Sequence, residues 1–132
     1  MYSYETSVKL HDTDAAGLLF FGHQFKMAHD AYEMFMESIG FDFAGVIGKS
    51  DYLLAIVHAE ADFNTTLCVG DRLTVQLRVD NVGETSYILA YDLLDRNQDL
   101  AGTVKTVHVC IGKADRKKRR LPDGLRKGLS AV

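Results

Sequence analysis

Between Gly22 and Ile39 the residues Phe25, Ala28, His29, Tyr32, Phe35, Met36 and Ile39 recur at steps of three and four, while Lys26, Asp30, Glu33 and Glu37 fill the opposite side. That is the stripe of an amphipathic helix. Gly40 just beyond it can adopt the left-handed conformation that closes many helices. Elsewhere the period is two. Over Tyr52–Phe63 the residues Leu53, Ala55, Val57, Ala59, Ala61 and Phe63 share one face, and Tyr52, Leu54, Ile56, His58, Glu60 and Asp62 share the other, which predicts a long half-buried strand. After a turn at Val69-Gly70-Asp71, Leu73, Val75, Leu77 and Val79 alternate with Thr74, Gln76, Arg78 and Asp80. Turn signals at Asn81-Val82-Gly83-Glu84 and Asp95-Arg96-Asn97-Gln98 bracket Thr85–Leu94 and Leu100–Ile111 as two further strands.

A looser alternation from Tyr2 to His11 predicts a first strand, followed by a polar, small-residue loop at Asp12-Thr13-Asp14-Ala15-Ala16-Gly17. The Gly- and Phe-rich stretch after Gly40 reads as a loop, and the last ten residues read as a surface tail or a short helix. The order is therefore strand, helix, then four strands. Four consecutive strands with one apolar face each, and one helix to cover them, predict an α+β fold in which a curved antiparallel sheet wraps around the helix.

A chain of 132 residues suits one domain, with one site to find. Hydrophobic residues at 47% and charged residues at 25% exclude the compositions of disorder and of fibrous proteins. A formal charge of −3 argues against a dedicated nucleic-acid binder, which needs a basic excess to displace counterions from phosphates. No apolar run approaches the roughly 20 residues that span a bilayer, and Met1-Tyr2-Ser3-Tyr4-Glu5 lacks the pattern of a signal peptide, so a cytoplasmic location with no membrane partner is the default expectation. Cys68 and Cys110 lack a C-x-x-C spacing and read as reduced, partly buried thiols.

The candidate chemistry gathers ahead of the helix. Asp14 lies just before Leu18-Leu19-Phe20-Phe21, which feeds straight into the helical stripe, so its carboxylate can sit in an apolar crevice facing unpaired N–H groups at the helix start. Such groups can polarise a carbonyl and stabilise the negative charge that grows on it during acyl transfer. An Asp in such a loop equally serves as a plain turn cap. His11, Asp12, Asp14 and His23 match no zinc spacing, and His23 and His29 are six apart, on opposite sides of a helix. His29 falls in the apolar stripe, where a hydrogen-bonded core histidine is expected, and Glu33 on the charged one. His58 and Glu60 share a strand face, where they can meet a ligand, a subunit interface or solvent. The basic run Arg116-Lys117-Lys118-Arg119-Arg120 is either a solvated surface or a partner for phosphates. There is no Gly-rich phosphate loop and no G-x-S-x-G elbow, which leaves nucleotide hydrolysis and serine-hydrolase chemistry without support.

Asp12-Thr13-Asp14-Ala15-Ala16-Gly17-Leu18-Leu19-Phe20-Phe21 resembles the D-x-D-x-x-G-h-h-[YF]-[YF] signature of the 4-hydroxybenzoyl-CoA thioesterase-like hotdog family. The resemblance extends through the helix, Phe63 and the Val69-Gly70-Asp71-Arg72-Leu73 turn to Arg116-Lys117-Lys118 and Leu121-Pro122. Tyr52–Phe63 and His29-Asp30-Ala31-Tyr32-Glu33 look most like the branch that hydrolyses 1,4-dihydroxy-2-naphthoyl-CoA in quinone biosynthesis. Where many relatives have Asn-Tyr after the aromatic pair, this chain has Gly22-His23-Gln24-Phe25. The resemblance implies a hotdog fold, no cofactor and no metal, and an active site between subunits whose sheets join edge to edge in a homodimer or homotetramer. It implies Asp14 as the catalytic carboxylate and the backbone amide of Phe21, with that of Gly22 next, as the carbonyl polariser. Phe20, His23, Tyr52, His58 and Glu60 are then candidates to bind the acyl-CoA substrate, and Arg116, Lys117 and Lys118 to bind the phosphates of CoA. The alternatives are a thioesterase for short or branched acyl chains, a hydratase-type hotdog enzyme, and a non-catalytic acyl-CoA-binding module.

Overall fold

In the computed structural model, which describes residues 1–132, the alternating segments pair into one five-stranded antiparallel sheet. Its strands are β1 (Tyr2–Ser7), β2 (Tyr52–Phe63), β3 (Arg72–Val82), β4 (Ser86–Asp95) and β5 (Leu100–Gly112), in the spatial order β1-β3-β4-β5-β2. Helix α1 (Phe21–Ser38) packs against one face of the sheet, giving the α+β arrangement that the periodicities predict and the hotdog fold that the resemblance implies. Its buried face is Met27, Ala28, Ala31, Tyr32, Phe35 and Met36, which meets Val75 and Leu77 of β3 and Tyr87, Leu89, Tyr91 and Leu93 of β4 in one core. Gly40, at φ +89°, follows the helix in the conformation expected of it. No helix is long and apolar enough to cross a membrane.

Three local readings change, and one choice between alternatives is decided. β1 ends at Ser7, and Leu10–Asp12 form a 3-10 turn rather than the end of a strand. The stretch read as a loop after Gly40 holds helix α2 (Phe43–Lys49), started by Asp42, whose carboxylate accepts the Gly45 N–H at 3.0 Å. Of the two readings of the final residues the short helix holds: they form α3 (Asp123–Ser130), packed down by Leu125 and Leu129, four apart on one face and both fully buried. His29 is not a core histidine: its side chain is 45% exposed and bonds Glu33 one turn on at 2.8 Å. Cys110 is buried as expected, whereas Cys68 is exposed.

The strand β2 departs from strict alternation. Its register against β5 shifts between Ile56 and His58, so Tyr52 and Leu54 pack on the core at one end while Ala61 packs on it at the other. An extra residue in a strand exchanges its two faces beyond the bulge, which no period-two pattern can register. β2 pairs only with β5, and Ile56, Val57 and Phe63 along it are exposed.

Candidate active site

The carboxylate of Asp14 is positioned by its own turn. The Asp14 N–H donates to the Leu18 carbonyl at 2.8 Å, and Gly17, at φ +77°, closes the loop by donating to the Asp14 carbonyl at 3.0 Å. One carboxylate oxygen, Oδ1, accepts the N–H groups of Ala16 at 2.9 Å and Leu18 at 3.3 Å. The other oxygen has no partner in the chain. Turn cap and free acceptor are thus the two oxygens of one side chain, so the two readings of Asp14 do not compete.

The chain then enters α1 through an extended Phe20, whose N–H donates to the Asp12 carbonyl at 2.9 Å. The N–H groups of Phe21 and Gly22, at the start of the helix, have no acceptor in the chain. Gly22 also makes room for its neighbour, since a Cβ there would stand 2.9 Å from the Phe20 ring. Asp14, Leu18, Leu19, Phe20, Phe21, Gln24, Phe63, Thr65, Thr66 and Leu67 enclose a cleft of about 400 Å³. A free carboxylate oxygen, a helix start and an apolar wall therefore share one cavity, a combination suited to holding and attacking a carbonyl.

Asp12, two residues away, is spent on structure. It is 1% exposed, and its carboxylate accepts the Lys9 N–H and the Lys26 ammonium, each at 3.0 Å. Burial pushes its carboxyl up, but the Lys9 amide, Lys26 and His11 together outweigh that and hold it below the usual carboxylate range. Lys26 is raised in turn, first by its hydrogen bond to Asp12. The Nδ1 of His23 lies 3.3 Å from the same carboxylate but out of line for a hydrogen bond, which leaves that buried nitrogen unpartnered. The His11, Asp12 and His23 cluster thus already holds a cation, the Lys26 ammonium, and no group of three His, Cys, Asp or Glu side chains is arranged to bind a metal.

Of the other residues singled out from sequence, Phe20 and Phe21 line the cleft with ring centroids 4.7 Å apart, and His23 stands edge-on to Phe20 at 5.6 Å. His58 and Glu60 form an exposed pair, 3.3 Å apart, on β2. Tyr52 lies at the far end of that strand, opposite Gly112 and about 36 Å from Phe63 at the usual rise per strand residue. Arg116, Lys117 and Lys118 sit at the same far end, in the turn that folds back on β5 through the bond from the Gly112 N–H to the Lys117 carbonyl at 2.8 Å. Within one chain, then, Asp14, Phe20, Phe21, Gly22 and His23 come together, while Tyr52 and the basic run do not join them. Gln24, Thr65, Thr66 and Leu67 belong to the cleft without having been singled out. For Gln24 a signal existed: it is a polar residue four before Ala28, inside the apolar stripe of α1.

Comparison with known proteins points the same way. The profile of the Thioesterase-like superfamily matches residues 8–129. A 1,4-dihydroxy-2-naphthoyl-CoA hydrolase from Synechocystis is 34% identical over 92% of this chain and 88% of its own length. The 1,4-dihydroxy-2-naphthoyl-CoA hydrolase from Rippkaea orientalis is 32% identical over 100% of this chain and 97% of its own. The crystal structure of a 1,4-dihydroxy-2-naphthoyl-CoA thioesterase from Synechocystis superposes with a TM-score of 0.94 at 32% identity, covering 99% of this chain and 96% of that one.

Proposed function

The chain belongs to the thioesterase-like superfamily and is an acyl-CoA thioester hydrolase, and from that premise we propose that its substrate is 1,4-dihydroxy-2-naphthoyl-CoA and that Asp14 is its catalytic carboxylate. The observation that carries the reading is the shared cleft, lined by Asp14, which has an unpaired oxygen, and by Phe21, whose N–H is unpaired at the helix start with that of Gly22 next to it. The thioester oxygen accepts hydrogen bonds from those amides, and the positive end of the α1 dipole stabilises the charge that develops on it. Asp14 delivers the attack on the carbonyl carbon, directly or through a water it deprotonates. By the direct route an Asp14 oxygen bonds the carbonyl carbon as the C–S bond breaks, and water then hydrolyses the resulting mixed anhydride. By the water route the new C–O bond comes from water itself. In both, the electron pair leaves with the sulfur of CoA, which takes up a proton from that water, yielding the free acid and CoA. The rings of Phe20, Phe21 and Phe63 offer an aryl acyl group flat apolar partners.

The far placement of Tyr52 and the basic run has a resolution in symmetry. β2 bonds β5 on one side only, so its other edge is free to pair with a second copy of the chain. Antiparallel pairing along that edge brings the Tyr52 end of one strand to the Phe63 end of the other. The basic turn Arg116-Lys117-Lys118 of one subunit then approaches the cleft of its neighbour, where it can meet the phosphates of CoA.

The experiment is a thiol-release assay against aryl-, branched- and straight-chain acyl-CoA esters, run in parallel on the Asp14→Asn variant. The expected result is fast hydrolysis of 1,4-dihydroxy-2-naphthoyl-CoA that falls by about 100-fold or more in the variant. Full turnover in a folded Asp14→Asn protein would remove Asp14 from the mechanism, and preference for a straight-chain ester would remove the aryl substrate.

A further inference from the structure

The side chain of Gln24 is 3% exposed on a helix face that is otherwise apolar. Its Nε2 donates to the Asp62 carbonyl of β2 at 2.9 Å and to the Thr103 carbonyl of β5 at 3.1 Å. Both partners are acceptors only, so the nitrogen must face them, and both of its protons are committed. That orientation turns Oε1 away from the two carbonyls and leaves it with no donor in the chain. The sheet is cut away to admit the group: a Cβ on Gly102 would stand 2.6 Å from Nε2 and 2.8 Å from Oε1. Gln24 also forms part of the wall of the Asp14 cleft, within one helical turn of the Phe21 and Gly22 amides. The cleft wall thus includes a side chain clamped in direction, whose Oε1 has no donor in the chain, within one helical turn of the amides proposed to receive the thioester carbonyl.

We propose that Gln24 is the specificity-determining residue for the acyl group, its Oε1 accepting the hydrogen bond of a hydroxyl that flanks the thioester carbonyl. The proposal rests on the thioesterase reading and sharpens it to ortho-hydroxyaryl esters. A clamped acceptor discriminates because an acyl group without that hydroxyl leaves Oε1 buried and unpaired in the complex, a loss that an unpinned side chain would avoid by rotating. Such an acyl group carries its hydroxyl on the ring carbon next to the one bearing the thioester, so the proton lies close to the docked carbonyl.

The test compares kcat/KM for 2-hydroxybenzoyl-CoA, benzoyl-CoA and 2-methoxybenzoyl-CoA, the last keeping the oxygen but lacking its proton. The parent protein should favour the hydroxy ester over the other two by about 10-fold or more. In Gln24→Met the ratio of the hydroxy ester to the benzoyl ester should collapse toward unity, whatever the absolute rates, and Gly102→Ala, which displaces the carboxamide without deleting it, should move the same ratio. Equal rates on all three esters with Asp14-dependent hydrolysis intact would overturn the proposal while leaving the thioesterase reading standing. An equal slowing of all three in Gln24→Met would reduce Gln24 to a tie between α1 and the sheet. The three-ester comparison on the parent protein decides the matter even if Gln24→Met fails to fold, and absence of thiol release from any ester would remove both readings together.

Discussion

At its N-terminus α1 leaves polar groups unspent: the Phe21 and Gly22 amides, one oxygen of Asp14 and the Oε1 of Gln24 have no partner in the chain, and Asp14, Phe21 and Gln24 line a cleft. Under the middle of the same helix most polar groups are paired, the buried Nδ1 of His108 excepted. Tyr32 bonds Tyr87 through their hydroxyls, Tyr91 bonds Thr106 at 3.0 Å, and Thr106 bonds the Nε2 of His108 at 2.7 Å. The His108 ring stacks on Tyr87 at 4.7 Å with an interplanar angle of 4°. Burial pushes the hydroxyls of Tyr32, Tyr87 and Tyr91 up, and burial, helped by nearby His29, pushes His108 down to about 3, so the whole cluster is neutral. Polar groups that satisfy one another specify a core, whereas polar groups held in place without partners are available to a ligand.

The sharpest break in that contrast is Asp14→Asn, which should cost the 100-fold or more in kcat described above while leaving the urea midpoint close to that of the parent. Asp12→Ala should do the reverse. Removing a buried carboxylate that accepts the Lys9 N–H and the Lys26 ammonium should cost about 2–3 kcal/mol in urea unfolding, with the loss in kcat much smaller than that of Asp14→Asn. If Asp12→Ala proved as inactive as Asp14→Asn at a temperature where it is fully folded, the division between the two carboxylates would be wrong.

A third test uses pH. The unfolded chain protonates His108 near its ordinary value of 6.5, whereas the folded chain resists protonation down to about 3. The unfolded state therefore binds more protons between those values, and stability contributed by His108 is present above pH 6.5 and is lost as pH falls toward 3. His108→Phe should flatten that part of the stability profile measured by thermal melts from pH 7 to 4, and an unchanged slope would place the acid sensitivity elsewhere. The smallest effect is expected from the basic turn. Neutralising Arg116, Lys117 and Lys118 together should raise the KM for a CoA ester a few fold, with little change for a short pantetheine thioester and with the difference shrinking in high salt. Equal effects on both thioesters would assign the run to plain surface.

Much of the fold was legible because it is written in period. The apolar stripe of α1, His29 excepted, and the alternation in β3 are local patterns that tertiary packing bears out, though Gln24, Met27 and Ala31 join the buried face of α1. α2 escaped notice because seven residues with two glycines carry too little periodicity, and the bulge in β2 because an inserted residue keeps the alternation intact in the letters while exchanging the faces in space. His29, expected in the core, is exposed, and the buried histidine is His108, which had not been singled out. A histidine on an apolar stripe and one within a strand look alike until the packing decides which is sealed beneath Tyr32 and Tyr87.

The signature around Asp14, the helical stripe that follows it and the meander of strands were determined by the sequence alone, since each depends on neighbours a few residues apart. The tertiary structure decided that Asp12 is buried and paired while one oxygen of Asp14 stays free, that Gln24 is clamped across Asp62 and Thr103, and that Tyr52 and Arg116-Lys117-Lys118 lie at the far end of β2. Those outcomes turn on which groups burial leaves without a partner, and partners separated by 38 or 79 positions in the chain meet only when the sheet has closed around the helix.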